Sequence, residues 1–206
     1  MRFNNKNWAL PPIQSDDSLY FEANSASTIK LYQRGGAWTT FEYSIDDKAT
    51  WNNFTTSSNI SLATGDRAYF RAKQTRATYD NDSDITIFDI QGNVKAVGNI
   101  MYLYDYEHPE NRTVTYARAF KGIFEKYWSY SSCIGLTDVE DLIMPEVLSA
   151  QCCINMFLGS GIISSPVLPA TTLTERCYEG MFAGCAITKV TMLARTFGTN
   201  SLRWWL

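Results

Sequence analysis

From Leu19 to about Tyr106, apolar and polar side chains alternate with period two, and β-branched and aromatic residues sit between turn formers, the pattern of half-buried strands. Thr28-Ile29-Lys30-Leu31-Tyr32 alternates, Gly35-Gly36 permits a reversal, and Trp38-Thr39-Thr40-Phe41-Glu42-Tyr43 alternates again. Ile60-Ser61-Leu62 runs through Thr64-Gly65-Asp66 into Ala68-Tyr69-Phe70-Arg71-Ala72. Ile85 to Ile90 and Val94 to Val97 flank Gln91-Gly92-Asn93, whose glycine and asparagine tolerate positive φ, so this stretch predicts a hairpin. Six to eight short strands joined by turns point to a β-sandwich-like domain over residues 18–106.

The period then changes. A helix from about Val114 to Tyr127 would place Ala117, Phe120, Ile123, Phe124 and Tyr127 on one stripe. Beyond it the chain repeats itself at an offset of 25 residues: Leu148, Cys152, Met156, Phe157, Gly159 and Ile162 recur as Leu173, Cys177, Met181, Phe182, Gly184 and Ile187. Leu142-Ile143-Met144-Pro145 and Val167-Leu168-Pro169 precede the two blocks. Ile123-Phe124 and Ser132-Cys133-Ile134 look like a divergent first copy with an insertion.

A repeat of this length predicts units that each bury an apolar face on the next. The expected units are a divergent first repeat 114–141, repeats 142–166 and 167–191, and an incomplete end 192–206. Leu142-Ile143-Met144 and Val167-Leu168 would form one extended wall. Leu173, Cys177 and Met181-Phe182, spaced four apart, would form helical turns inside.

Residues 1–17 read as an extended arm in which Phe3, Trp8, Leu10 and Ile13 are too irregularly spaced for a helix or strand face, and they become candidates for docking into a partner. At the other end, Leu202, Trp204, Trp205 and Leu206 are apolar where a repeat stack needs a polar cap, so they too are candidate interface residues.

Val167-Leu168-Pro169-Ala170-Thr171-Thr172-Leu173, Cys177-Tyr178 and Met181-Phe182-Ala183-Gly184-Cys185 resemble the "LPATTL...CY..MF.GC" repeat of BspA-like leucine-rich repeat surface proteins, abundant in gut anaerobes and found in their phages. Phe41-Glu42-Tyr43-Ser44-Ile45-Asp46-Asp47, Trp51, Gly65-Asp66, Phe70-Arg71 and Gly98-Asn99-Ile100-Met101 are similar to modules that precede such repeats. The resemblance implies a β domain followed by a short α/β leucine-rich repeat solenoid over 107–206. It also implies a non-catalytic role in attachment or assembly, without cofactor or catalytic residues.

Composition narrows the function. The 18 basic and 21 acidic residues give a net charge of −3, too weak a field to hold a polyanion, so no nucleic acid is expected. No stretch approaches the roughly 20 apolar residues needed to cross a bilayer, and the start lacks the apolar run of an export signal, so no membrane insertion is expected. The odd set Cys133, Cys152, Cys153, Cys177 and Cys185 fits neither a simple disulfide framework nor a zinc site, and reads as reduced, buried thiols.

His108, the single histidine, has no nucleophile motif beside it. Asp80, Asp82 and Asp84 have the 1, 3, 5 oxygen spacing of calcium loops, but Ile85 replaces the required glycine and Gln91 falls at position 12, so they remain a weak metal candidate.

The expectation is a non-enzymatic structural or attachment protein. A phage virion component such as a head fibre, decoration or tail-associated protein comes first, partnered by copies of itself or other structural proteins. A bacterial cell-surface adhesin, binding host glycan or protein, is the alternative.

Overall fold

The computed structural model describes residues 17–35, 40–74, 85–126 and 133–206. Among the described residues, eight strands make the first part: β1 (Tyr20–Ala23), β2 (Ser27–Arg34), β3 (Phe41–Ser44), β4 (Asn52–Phe54), β5 (Asn59–Leu62), β6 (Arg67–Ala72), β7 (Ile85–Gln91) and β8 (Val94–Asn99). A single 3-10 turn follows at Ile100–Leu103.

They form two sheets. One runs β8-β1-β6-β3-β4, all antiparallel, and the other runs β5-β2-β7. Alternation decides the faces: Phe21 and Ala23 of β1 are buried while Tyr20 and Glu22 are not, and Ile60 and Leu62 of β5 are buried while Asn59 and Ser61 are exposed. Phe88 centres the core, with the rings of Phe54 and Phe70 at 5.2 and 5.1 Å and that of Phe41 at 5.5 Å. The β-rich N-terminal part is as expected.

The hairpin expected at Gln91-Gly92-Asn93 is not one. β7 belongs to the smaller sheet and β8 to the larger, so the turn crosses between sheets. Its polar groups bond to the neighbouring crossing instead of closing on their own strands: Asn24 N–H donates to Asn93 O at 2.8 Å and Asn93 N–H to Ser27 Oγ at 3.1 Å. A Cβ on Gly92 would lie 2.4 Å from Ser27 Oγ, so glycine serves the contact as well as φ +99°.

The second part overturns the α/β leucine-rich repeat solenoid. Among the described residues there is no α-helix, neither at 114–126 nor in the repeats. The strands are short: β9 (Leu136–Asp138), β10 (Leu142–Ile143), β11 (Val167–Leu168), β12 (Thr172–Leu173), β13 (Thr191–Met192) and β14 (Thr196–Phe197). No single wall forms from Leu142-Ile143 and Val167-Leu168. β9 and β10 add in parallel to β8 of the large sheet, whereas β11 pairs with β13, and β12 with β14, in separate two-stranded patches.

Backbone handedness explains the missing helices. Arg118, Gln151, Arg176 and Asn200 have φ of 60, 59, 51 and 53°, and Gly122, Asn155, Gly180 and Trp204, four residues further on, have 59, 56, 62 and 49°. A left-handed residue at every fourth position breaks the i to i−4 ladder. The result is a tier of linked turns, seen at 118–126, 151–159, 176–184 and 200–206.

Alternate N–H groups point sideways and join the tiers: Phe120 to Cys152 O, Gly122 to Ile154 O, Cys153 to Cys177 O, Asn155 to Glu179 O, Tyr178 to Ser201 O and Gly180 to Arg203 O, all at 2.7–3.1 Å. The 25-residue period is therefore the spacing of stacked turns.

Tier interiors carry the repeat residues. Leu148, Cys152, Met156, Phe157, Ile162, Leu173, Cys177, Met181 and Phe182 are buried, and Ile187 is half-buried. Ala117, expected on the buried stripe, is exposed, while Phe120, Ile123 and Phe124 are buried. One core runs from Leu19 to Phe182 through both parts. No helix among the described residues is long and apolar enough to cross a membrane.

Candidate interaction edge

The fourth tier, 200–206, is the last one described. Among the described residues β13 pairs only with β11 and β14 only with β12. The carbonyls of Thr199, Ser201, Arg203 and Trp205 accept N–H groups from the third tier. The intervening N–H groups, those of Asn200, Leu202, Trp204 and Leu206, occupy the positions that in earlier tiers donate onward. They donate to no backbone carbonyl among the described residues. The edge is a row of main-chain donors.

Apolar side chains border this row. Phe197 is 54% exposed, Trp204 67% and Leu206 57%, against complete burial of Met181 in the tier beneath. Leu202 and Trp205 are half-buried, Trp205 tilting over Phe182 at 6.3 Å between centroids. The Arg203 guanidinium lies 3.8 Å over the Trp204 ring. Of the interface candidates read from sequence, the structure gathers Leu202, Trp204, Trp205 and Leu206 into one edge. Phe3, Trp8, Leu10 and Ile13 lie outside the described residues, as do the calcium candidates Asp80, Asp82 and Asp84.

Phe197 and the donor row had no signal in composition, because both depend on register. Aligning the left-handed positions Asn200 and Trp204 on Arg176 and Gly180 would have found them.

Three other groupings carry chemistry of their own. Asp105, Glu107 and His108 bring ligand-type atoms within 4.8 Å of one another. Lys73 Nζ already pairs with Glu107 there, and His108 Nδ1 lies 3.3 Å from Asp105 Oδ2, so a side-chain ammonium fills the cation's place.

On the outer face of the large sheet, Arg71 is held by Glu42 at 2.6 Å and lies 4.0 Å from the Trp51 ring and 4.6 Å from the Tyr106 ring. All five cysteines are free thiols, Cys185 being the half-buried one. Burial pushes the Cys177 thiol up to about 12, and Cys153, whose sulfur lies 3.6 Å from that of Cys152, is raised well above its ordinary value.

Glu125, 7% exposed, is the most perturbed carboxyl: burial raises it from 4.5 to about 7 against the opposing charge of Lys121. It packs over Gly122, where a Cβ would lie 2.7 Å from its Cδ.

Compared with protein-family models, with curated proteins and with solved structures, the chain matches none.

Proposed function

We propose that this chain is a non-enzymatic structural or attachment protein that docks through its C-terminal edge, and that its setting is a phage virion. The observation that carries the docking is the fourth tier, where four main-chain N–H groups that donate to no described backbone carbonyl lie in a row beside exposed Phe197, Trp204 and Leu206. A strand or turn edge left unpaired is a template for another chain. A phenylalanine ladder runs down the stack that holds it.

Attachment at a bacterial cell surface, to a glycan or protein, is the second reading. It is favoured by the Trp51, Arg71 and Tyr106 stack on the outer face of the large sheet. Immunogold labelling with antibody raised against the purified chain separates the two. Labelled particles support the virion, labelled cell envelopes support the second reading, and signal confined to the cytosol of uninfected cells overturns both.

A further inference from the structure

On the outer face of the large sheet the charges cancel in place. Strand register sets Glu22 opposite Arg67 and Glu42 opposite Arg71, with carboxylate-to-nitrogen distances of 2.7 and 2.6 Å. Lys95 meets Asp141 at 2.6 Å, and Lys73 meets Glu107. Each cation of these pairs has its carboxylate beside it, so the pairs offer donors and acceptors with little net field.

Rings lie between the pairs. The Arg71 guanidinium has Trp51 at 4.0 Å and Tyr106 at 4.6 Å, and that of Arg67 lies 4.7 Å from the Tyr20 ring. Trp51, Arg71 and Tyr106 are all half-buried, so they reach the surface together. Glu42 takes Arg71 through Nε, which keeps the terminal N–H groups of the guanidinium as donors next to a carboxylate acceptor.

The loop before Trp51 is locked. Ser44 Oγ donates to Asp46 Oδ1 at 2.7 Å and accepts the N–H of Lys48 at 2.9 Å, while Thr50 N–H donates to Asp46 Oδ1 at 3.0 Å. Within it Asp47 and Lys48 take left-handed φ of 56 and 72°. That conformation sets Asp47 on the Tyr69 hydroxyl at 2.8 Å and Lys48 over the Tyr69 ring at 5.1 Å. Backbone strain of this kind collects where a loop presents side chains to a ligand.

We propose that this platform binds a neutral glycan, a chain of uncharged pyranose rings. The C–H faces of a pyranose carry slight positive charge and suit the electron-rich surfaces of Trp51 and Tyr106, while neighbouring hydroxyls accept from Arg71 and donate to Glu42. An ionic polymer fits less well, because the charges it would seek are already paired. The proposal rests on the cell-surface reading above, whose ligand chemistry it names, and is independent of the C-terminal edge.

The test is electrophoresis of the full chain through native gels cast with mannan, xyloglucan or β-glucan, with pectate, with heparin, or with no polymer. At least one neutral polysaccharide is expected to retard the chain, equally at low and high salt. Trp51→Ala and Tyr106→Ala should each weaken that binding about tenfold or more. Arg71→Lys, which keeps the positive charge and loses the planar fork, should weaken it too, and Trp204→Ala should not. Circular dichroism checks each variant, and Arg71→Lys carries the test if Trp51→Ala does not fold.

Retardation by pectate or heparin alone would overturn the neutral class of ligand. Retardation that ignores Trp51→Ala, Tyr106→Ala and Arg71→Lys, or none in any gel, would overturn the site. Labelled cell envelopes with no retardation would overturn the glycan while leaving attachment to a surface protein standing.

Discussion

The rings of Phe157 and Phe182 lie 5.7 Å apart between centroids and within 2° of parallel. Phe124 extends the ladder at 5.6 Å from Phe157 and reaches Phe88 at 5.7 Å, so the aromatic column starts in the β-sheet core and ends under Trp205. Parallel stacking at this separation follows from tiers with the same backbone, since equivalent side chains must leave the main chain at the same angle.

Phe157, fully buried with a ring on either side, is the position where truncation should hurt most. Phe157→Ala is expected to cost about 3–5 kcal/mol, and Phe157→Leu distinctly less. Urea unfolding checks this. A loss below about 1 kcal/mol for the alanine variant would show that the tiers do not depend on the column.

Two glycines separate backbone strain from crowding. Gly65 has φ +87° and open space around an added Cβ, whereas Gly180 has φ +62° and its Cβ would lie 2.2 Å from Asn155 Oδ1. Gly65→Ala should cost about 1 kcal/mol from handedness alone, and Gly180→Ala clearly more. Adding Asn155→Ala should recover part of the Gly180→Ala loss, which a double-mutant cycle in urea would measure.

Stability should fall as pH rises through the window set by Glu125. Its folded carboxyl is raised from 4.5 to about 7, so between those values the folded chain keeps a proton that the unfolded chain has released. The contribution is fully present below about 4.5, is lost across the window and is flat above it, a change of about 3 kcal/mol. Glu125→Gln should gain on the parent by roughly that amount between pH 4.5 and 7.5. A difference that stays constant with pH would show that the carboxyl is not desolvated.

Thiol chemistry offers a direct probe of the tiers. Cys133, Cys152, Cys153 and Cys177 are buried, and Cys185 is half-buried with its Sγ donating to Phe157 O at 2.9 Å. Ellman's reagent at pH 8 should reach at most Cys185 in the native protein and all five thiols in guanidinium. Fast reaction of two or more native thiols would contradict the packing.

Much of the first part was legible residue by residue, because its signals are local. Ser44 and Asp46 lock their loop through an Oγ–Oδ1 contact of 2.7 Å and a bond from Thr50 N–H to Asp46 Oδ1 at 3.0 Å. Gly98 leaves room for Ser18 O, which an added Cβ would approach to 2.2 Å, and Asn99 accepts the N–H of Met101 at 3.0 Å to start the 3-10 turn.

Strand pairing was not legible at Gln91-Gly92-Asn93, since the bonds that choose a crossing over a hairpin come from Asn24 and Ser27, some 66 or more residues away. In the repeats the spacing was visible and its meaning was not. Apolar positions four apart fit a helix and a chain of turns equally well. The choice lies in residues such as Arg118 and Arg176, which have no side-chain bias toward left-handed φ and adopt it because the adjacent tier accepts their N–H groups.

The one-way hydrogen bonding of the tiers bears on how such a chain can lengthen. A unit inserted between the second and third tiers finds acceptors wanted on one side and donors offered on the other, with a phenylalanine above and below. An in-frame gene duplication of a single repeat is therefore born already compatible with its neighbours, and reach becomes a heritable quantity that changes in whole steps while both termini of the stack keep their chemistry.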